Sequence, residues 1–396
     1  MIAKAILEQV FTRAKFGSFA VDYWGELKKY GGNDKPIFTL TLYDPDVASA
    51  IVKQSDIGFG EAYMDKRLEV DNLDEFLKFT NLNNARLQEW LGKNMGYRFA
   101  RNIRKKQDSQ IQSHYDLGND FYKLWLDSSM TYSCAYFKKP DDKLELAQQQ
   151  KIDHVLGKLQ LSKDQRLLDI GCGWGHLAIR AAKLYGVRSF GVTLSHNQYE
   201  YATSMAKREG VSNMVEFKYM NYQDIKNHKH KYDRIVSVGM FEHVGRNNQH
   251  KYFKTIDDLL IAGGLSVLHT ITQQTEESMP GWIDKYIFPG GYVPSLREVV
   301  QLLPEYDLHL TDYESLRMHY AMTLDEWYRR FEANLDAVRK LEKKDERFIR
   351  MWRLYLRGSA SSFRWGTFDL SQLVFTKGLK NDLPLTRSGL YLKPRP

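Results

Sequence analysis

The chain has 396 residues, which exceeds one average domain and predicts two or three. Its composition is ordinary for a globular protein, and its formal net charge of +8 favours an anionic partner, either nucleic acid or a phospholipid surface. Two cysteines, Cys134 and Cys172, argue against a disulfide scaffold, and no apolar run approaches the ~20 residues that span a bilayer. We therefore expect a cytoplasmic protein that meets a membrane only at its surface.

Residues 1–90 predict a small α+β domain. The opening MIAKAILEQVFTRAKFG lacks the apolar core and cleavage site of a signal peptide and predicts an amphipathic helix. Short alternating runs at 19–24 and 35–44 predict half-buried strands, followed by a helix. Residues 91–108 are rich in Arg and Lys and predict a basic linker or an exposed helix.

Residues 109–396 predict a second, larger domain. From about residue 145, helical periodicity, the buried-strand run RLLDI, a helix (HLAIRAAKLYG) and the strand RSFGVT follow one another, and YDRIVSVGMFEHV and GGLSVLHTIT supply further strands. Strands that alternate with helices indicate parallel βαβ units. The predicted fold is α/β, with a doubly wound, Rossmann-like sheet.

The segment DIGCGWG places Gly171, Gly173 and Gly175 where a strand turns into a helix. Such a turn lets the backbone approach a ligand at the carboxyl ends of the strands. A dinucleotide site is the main rival, but the third glycine comes too early for G-x-G-x-x-G, and no P-loop Lys-Ser/Thr follows. A nucleoside without a pyrophosphate, such as S-adenosylmethionine, fits better, and Gln198 after the next strand is a candidate for the ribose hydroxyls.

Taken together, the segments of this chain resemble the cyclopropane fatty acid synthases, which use S-adenosylmethionine to convert cis double bonds of phospholipid acyl chains into cyclopropane rings. The similar segments, in order, are HYDLGNDFYKLWLD, MTYSCAYF, LLDIGCGWG, GVTLSHNQ, RIVSVGMFEHVG, LHTIT, KYIFPGGYVPS and HYAMTLDEW. They cover nearly all of residues 113–375, and GFGEAYMD at 58–65 is similar to the N-terminal domain of full-length bacterial members. The resemblance implies a class I methyltransferase fold preceded by a small α+β domain.

The resemblance also implies the site residues. The implied cofactor contacts are Tyr132, Ser133, Gly171, Gly173, Thr193, Leu194 and Gln198, with Tyr222 and Gln223 at the adenine. The residues implied to hold a bicarbonate ion beside the methyl group are Cys134, Glu242, His269, Ile271 (through its backbone) and Tyr320. A homodimer that acts peripherally on the inner face of a membrane is implied as well.

The proposed chemistry explains this choice of residues. Methyl transfer to an alkene leaves a carbocation, and a bound bicarbonate can take the proton lost on ring closure, whereas a side-chain base risks alkylation. His269 and Tyr320 can donate hydrogen bonds to such an ion, Cys134 only weakly. Aromatic rings at Tyr286, Phe288 and Tyr292 either stabilise the cation or pack a lipid-facing loop.

Purely structural roles for these residues stay open at this point. Cys134 suits a core position, Glu242 suits a helix start, and Cys172 is expected only to pack within its turn. No metal site is expected, because His228 and His230 favour a solvated loop. One rival function is a methyltransferase that leaves a methyl branch on a lipid alkene or methylates a small amine. The others are a nucleic-acid methyltransferase, supported by charge alone, and a non-catalytic lipid-binding protein.

Overall fold

A computed structural model describes residues 2–95, 117–227, 230–342 and 344–391, without the side chains of 85–95 and 226–227. In the first half the elements are α1 (Ile2–Phe11), β1 (Phe19–Tyr23), β2 (Glu26–Tyr30), β3 (Thr39–Leu42), α2 (Pro45–Gln54), α3 (Asp56–Met64), β4 (Leu68–Val70), α4 (Leu73–Met95), α5 (Asn119–Lys123), α6 (Leu144–Lys158), β5 (Arg166–Ile170), α7 (His176–Tyr185) and β6 (Arg188–Thr193). The remaining elements are α8 (His196–Arg208), β7 (Val215–Tyr219), β8 (Tyr232–Val238), α9 (Gln249–Leu259), β9 (Leu260–Gln273), α10 (Gly281–Tyr286), α11 (Leu296–Leu302), β10 (Leu308–Ser315), α12 (Arg317–Ala333), α13 (Leu335–Lys340), α14 (Glu346–Trp365), β11 (Phe368–Lys377) and α15 (Ser388–Tyr391). Within these ranges, no helix has the length and apolarity needed to cross a membrane.

One compact unit consists of residues 1–104, 280–289 and 324–367. Its four-stranded sheet has the order β2-β1-β3-β4, in which β1 and β3 are parallel and the other pairs antiparallel. Asp44 caps α2 by accepting hydrogen bonds from two backbone amides of the first turn, and Pro45 is the first helical residue. The helix predicted after residue 44 is therefore present.

Two segments that the sequence places in the catalytic domain, 280–289 and 324–367, belong to this first unit instead. The reason is packing, because α14 lies against α3 and α4 and α10 lies against α3. At Gly60 a Cβ atom would lie 2.2 Å from the Trp282 ring, so only glycine lets these two helices meet. The roles expected of residues 1–90 and 109–396 stay predictions.

The second unit consists of residues 105–279, 290–323 and 368–396 and holds a seven-stranded sheet of order β10-β11-β9-β8-β5-β6-β7. Strands β5 to β9 are parallel, while β11 is antiparallel to both β9 and β10. Helices cover both faces, since Leu167 of β5 packs with α6 and α7, and the next residue, Leu168, packs with α9. The chain runs outward from β5 through β6 to β7 and returns to β8 on the other side of β5, which makes β5 the switch point of the sheet.

The sequence predictions omit parts of this fold. Strand β2 is an edge strand whose first four residues are exposed, so it lacks the alternation that marks a half-buried strand. The antiparallel strands β10 and β11 break the βαβ pattern and were not predicted. Of the predicted basic linker, 91–95 end helix α4, and 96–108 lie outside the described residues, as does His228.

Candidate active site

A cavity lies at the carboxyl ends of the neighbouring strands β5, β6 and β8, where an open α/β sheet binds ligands. All of the predicted cofactor residues line it: Tyr132, Ser133, Gly171, Gly173, Thr193, Leu194, Gln198, Tyr222 and Gln223. These residues come from five separate stretches of sequence, so the fold brings together the whole predicted set.

The glycine loop shapes one wall of this cavity. Gly171, Gly173 and Gly175 have φ values of +79°, +55° and +87°, which side-chain-bearing residues rarely adopt. A Cβ atom at Gly171 would lie 2.7 Å from the Met240 Cβ, whereas one at Gly173 would meet no protein atom within 4 Å. Gly171 therefore allows close packing, and Gly173 leaves bare backbone for a ligand to approach.

Two polar side chains at the end of β6 and in the first turn of α8 are hydrogen-bonded to each other. Thr193 Oγ1 donates to Gln198 Oε1 at 2.8 Å, and Ser195 caps α8 by accepting from the Gln198 amide. Because the Gln198 oxygen is engaged, its amide nitrogen is the group with which it can bind a ribose hydroxyl. At the predicted adenine position, Gln223 Nε2 donates to the Tyr222 hydroxyl at 3.2 Å.

The loop 131–137 carries Tyr132, Ser133 and Cys134 and contains no helix or strand. Helix α6 holds it from one side, where Gln148 Nε2 donates to the Ser133 carbonyl at 2.8 Å and Lys151 Nζ donates to Ser133 Oγ at 2.8 Å. Helix α12 holds it from the other side, where the Ala135 amide donates to Thr323 Oγ1 at 3.0 Å. These bonds position an irregular loop that links the cofactor cavity to Cys134.

Glu242 lies in a short 3₁₀ turn just after β8 and is only 8% exposed. Its Oε1 accepts a hydrogen bond from the backbone amide of Ile271 at 2.6 Å, while Oε2 is buried and has no hydrogen-bond partner in the described chain. Burial raises the pKa of this carboxyl to about 6. The Ile271 amide thus orients Glu242; the direct contact with an anion predicted for Ile271 stays a prediction.

His269 lies two residues before Ile271 on β9, so the two share a face of the strand. Gln372 Nε2 of β11 donates to His269 Nδ1 at 3.0 Å, which assigns the ring proton to Nε2, a buried atom with no hydrogen-bond partner among the described residues. Burial holds the His269 pKa well below its usual value, and the nearby charge of Lys151 lowers it further. His269 is therefore a neutral donor.

Cys134 is fully buried, and its Sγ donates to the Ala135 carbonyl. Burial raises the pKa of the thiol, so it is not a thiolate nucleophile. Tyr320 lies on α12, three residues before the Thr323 that holds the cysteine loop. Neither residue lines the cofactor cavity, nor do Glu242, His269 and Ile271.

Strand pairing nevertheless connects the cofactor cavity with the residues that were predicted to hold bicarbonate. Val238 and Gly239 line the cofactor cavity, Val238 pairs with His269 across β8 and β9, and the Gly239 amide donates to the His269 carbonyl at 2.9 Å. Of the aromatic candidates, Tyr292 donates its amide hydrogen to the Glu242 carbonyl at 2.8 Å and its hydroxyl hydrogen to Glu298. The expected packing of Cys172 is observed, since it lies in a small buried cluster.

The sequence analysis missed several charged or polar residues of the cavity wall, among them Lys151, Asp169 and His243. Lys151 and Asp169 are buried, and His243 is partly buried. Removal from water lowers the pKa of Lys151 to about 8 and that of His243 to about 4, and it raises the pKa of Asp169 to about 7. A signal was present for Asp169, an acid inside the apolar run RLLDIG. Lys151 gave a weaker one, because it shares a helical face with apolar residues of α6.

With this geometry established, comparison with known proteins is informative. A family model described as mycolic acid cyclopropane synthetase matches residues 102–373. The chain belongs to this family. A second model, described only as a domain of unknown function, matches residues 6–85.

This member of the mycolic acid cyclopropane synthetase family is 38% identical over 358 residues to the cyclopropane-fatty-acyl-phospholipid synthase of Escherichia coli K12, over 88% of this chain and 90% of that one. It is 36% identical over 383 residues to a probable fatty acid methyltransferase of Pseudomonas putida, over 92% and 95% of the two chains. The crystal structure of mycolic acid cyclopropane synthase CmaA1 complexed with SAH and CTAB matches 70% of this chain and 100% of that one, with 35% identity and a TM-score of 0.64.

These similarities confirm the predicted family and the predicted fold class. The family member described here is an S-adenosylmethionine-dependent methyltransferase with a mixed seven-stranded sheet and an additional N-terminal α+β region. The full-length relatives align along nearly their whole length, including that N-terminal region.

Proposed function

We propose that this chain transfers a methyl group from S-adenosylmethionine to a cis double bond in an acyl chain of a membrane phospholipid, and that proton loss then closes a cyclopropane ring. The observation that carries the proposal is the gathering of all the predicted cofactor residues around one cavity, with His269 on the strand that pairs with the cavity wall. The similarity to a cyclopropane-fatty-acyl-phospholipid synthase supports the choice of substrate.

The residues around the cavity fit the methyl donor. S-adenosylmethionine, when bound, supplies an electrophilic methyl group on a sulfonium sulfur. Bare backbone at Gly173, the Gln198 amide and the pair Tyr222 and Gln223 would hold its nucleoside. Part of the wall is buried, including Ser133, Thr193 and Gln198, which limits the access of water to the site where a carbocation would form.

The residues beside the cavity fit a bicarbonate ion. Glu242 Oε2 and His269 Nε2 are buried polar atoms that find no hydrogen-bond partner within the described chain. An ion that accepts from His269 and carries a proton of its own for Glu242 satisfies both. Bicarbonate, when bound, supplies a base for the proton that leaves the new methyl group.

The His269 and Cys134 side chains at this site stay uncharged, whereas the Glu242 carboxyl is mostly ionised at neutral pH, which suits a reaction that develops positive charge. His269 donates a hydrogen bond while neutral, and the Cys134 thiol keeps its proton. Glu242, whose pKa is about 6, changes its proton occupancy near neutral pH and is held in place by the Ile271 amide. We infer that Glu242 and His269 orient the base without competing with it.

The first experiment is product analysis. The protein is incubated with S-adenosylmethionine and vesicles of cis-unsaturated phospholipid, with and without added bicarbonate, and the lipids are examined by mass spectrometry before and after hydrogenation. A lipid heavier by one methylene that takes up no hydrogen supports ring formation, and dependence on bicarbonate supports the anion site. Absence of any added methylene would refute the proposal.

The same experiment distinguishes the second candidate, a lipid methyltransferase that leaves a methyl branch. The similarity to a probable fatty acid methyltransferase favours this candidate. A product of the same added mass that still carries an alkene and takes up hydrogen would establish it.

We further propose that the protein acts as a homodimer and associates peripherally with the cytoplasmic face of an anionic membrane. The net charge of +8 supports electrostatic docking, which salt screens. Vesicle co-sedimentation is expected to fall as ionic strength rises, and analytical ultracentrifugation to show a dimer. Residues 1–90 are proposed to hold the catalytic domain at the membrane or at the partner subunit, so a truncation that starts near Ser109 should lose activity on vesicles.

A further inference from the structure

Gln372 is a fully buried amide in the middle of strand β11. Its strand neighbours on the same face, Leu370 and Val374, are apolar and buried, so an apolar side chain would pack there at less cost. Its Oε1 has no hydrogen-bond partner within the described residues, while its Nε2 lies 3.0 Å from His269 Nδ1. Packing therefore does not explain a glutamine at this position, whereas a role at His269 does.

The sheet places this amide and the His269 ring side by side. Gln372 is paired in register with His269 across β11 and β9, and paired residues project from the same face. Strands β8 and β11 flank β9 on opposite sides, so the amide approaches His269 from the side away from Val238 of the cavity wall. The amide thus occupies one ring nitrogen and leaves the other for the anion of the proposed function.

His269 carries a single ring proton. Burial, and after it the charges of Lys151 and Lys158, hold the His269 pKa well below its usual value, so the ring is neutral at neutral pH. A neutral imidazole has one donor nitrogen and one acceptor nitrogen, and the hydrogen bond made by one fixes the role of the other. An amide nitrogen can only donate, so Nδ1 accepts and Nε2 holds the proton.

We propose that Gln372 is a positioning residue for the anion site, and that its amide holds His269 in the tautomer that donates from Nε2. This role rests on the proposed function, in which His269 donates to a bicarbonate ion. A carboxylate at Nδ1, as in hydrolase triads, has the opposite effect, because it accepts the Nδ1 proton and leaves Nε2 as a base. The amide therefore prevents His269 from competing with bicarbonate for the proton lost on ring closure.

The carboxylate beside Gln372 on the sheet is engaged elsewhere. Glu314 of β10 is paired in register with Gln372. Its Oε2 lies 2.6 Å from both His154 Nε2 and Lys158 Nζ of α6. Further titratable groups on the elements packed around this pair are Lys151 on α6, Cys134 on the loop 131–137 and Glu242 after β8. Two α6 side chains thus hold the Glu314 carboxylate, and the group that meets His269 is the amide.

The first test is nitrogen NMR of the full chain with isotopically labelled histidine, in which protonated and unprotonated ring nitrogens give well-separated signals. The His269 signals are assigned by their loss in His269→Gln. For the unaltered protein we expect a proton on Nε2 and none on Nδ1. In Gln372→Glu, measured in the alkaline range where the new carboxyl is ionised, Nδ1 should gain a proton, because a carboxylate can only accept. A protonated Nδ1 in the unaltered protein, or an unprotonated one in this variant, would overturn the inference.

The second test measures how product formation depends on bicarbonate. Gln372→Glu should raise the half-saturating bicarbonate concentration by about tenfold or more. Gln372→Met keeps the volume without the amide or a new charge, and should raise it by about threefold to tenfold. Affinity for S-adenosylhomocysteine should change by less than about threefold in both variants, because Gln372 does not line the cofactor cavity. An unchanged bicarbonate dependence in the Met variant would overturn the inference.

Ser371→Ala is the matched control. Ser371 is as buried as Gln372, and its Oγ lies 2.7 Å from Thr272 Oγ1, but it projects from the opposite face of β11 to Gln372. This variant should lower stability and leave the tautomer and the bicarbonate dependence unchanged. An equal shift in bicarbonate dependence from Ser371→Ala and Gln372→Met would reduce Gln372 to a structural role.

Failure of the proposed function is a separate outcome. If the unaltered protein forms no product, or forms it without any dependence on bicarbonate, the proposed reaction or its anion site is wrong. The spectrum of the free protein reports the His269 tautomer in either case, because it needs no substrate. The two failures are therefore distinguishable.

Discussion

Replacement of Lys151 by Met should make the protein more stable and a poorer binder of its cofactor. The side chain is 2% exposed, and burial lowers its pKa from 10.5 to about 8. A shift of this size corresponds to about 3 kcal/mol by which the charged form destabilises the fold at neutral pH. Met has a similar volume and no charge, and it loses the hydrogen bond to Ser133, worth about 1 kcal/mol. The net expectation is a gain of about 2 kcal/mol in the free energy of unfolding.

The sign of the pH dependence follows from the lowered pKa. Below pH 8 Lys151 is protonated in both the folded and the unfolded chain, so the fold carries the full cost of the buried charge. Between pH 8 and 10.5 the folded chain has lost this proton while the unfolded chain keeps it, and the cost declines. The advantage of the Met variant over the unaltered protein should therefore be largest near neutral pH and shrink toward pH 10.

Lys158 provides a matched control on the same helix. It is also buried, but its Nζ lies 2.6 Å from Glu314 Oε2, so Lys158→Met takes one partner from this partly buried carboxylate. That variant should lose stability rather than gain it, by about 1–3 kcal/mol. Urea denaturation at several pH values measures both changes. If Lys151→Met proves less stable than the unaltered protein at pH 7, the view that this buried charge destabilises the fold is wrong.

Other predictions follow from the same geometry. Glu242→Gln should keep the hydrogen bond from the backbone amide and change S-adenosylhomocysteine affinity less than about threefold, while product formation falls about a hundredfold or more; equal activity of the two proteins would remove Glu242 from the chemistry. Affinity for S-adenosylhomocysteine should peak between pH 7 and 8, because Lys151 and Asp169 line the cofactor cavity and burial brings their pKa values to about 8 and about 7. The acid is neutralised below this window and the amine above it; a flat calorimetric profile would show that neither charge affects the bound ligand. Gly175→Ala should lower the free energy of unfolding by about 2–4 kcal/mol, because the new Cβ atom would lie 2.6 Å from the buried Phe217 ring. Gly210 has a similar positive φ but open space around it, so Gly210→Ala should cost only about 1 kcal/mol. Thermal melts measure both losses, and similar losses would show that packing is not the cause.

The elements of the methyltransferase fold were largely predictable from local sequence. The glycine loop and the apolar strands β5, β6 and β8 have local signatures, since a positive φ demands glycine and a buried strand demands a short apolar run. Gly171, Gly173 and Gln198 follow β5 and β6, so a correct strand assignment places them at one edge of the sheet. The other cofactor residues were predicted from the resemblance to the cyclopropane fatty acid synthases: Tyr132, Ser133, Thr193, Leu194, Tyr222 and Gln223.

Contacts between distant segments were not predictable in the same way. The tautomer of His269 depends on Gln372, which lies 103 residues further along the chain, and the cysteine loop depends on Thr323, which lies 188 residues from Ala135. Residues 324–367 belong to the first compact unit because α14 packs against α3 and α4. No local pattern encodes such pairings, because they depend on which surfaces meet after the chain has folded.

The buried charges show a further limit of pattern reading. Lys151 shares a helical face with Ala147 and Val155, and a search for apolar periodicity gives no weight to a single lysine on such a face. Only the cavity reveals that Asp169 lies on the same wall. A charged residue inside an otherwise apolar strand or helix face is therefore the sequence signal to pursue when a cofactor site is suspected.

The central claim is that methyl transfer is followed by proton loss and ring closure. The most direct measurement uses S-adenosylmethionine with a trideuterated methyl group and vesicles of cis-unsaturated phospholipid, followed by mass spectrometry of the acyl chains. Ring closure removes one deuterium, so the account predicts a product that retains two of the three. A product that retains all three would show that the methyl group is transferred without ring closure and would contradict the account.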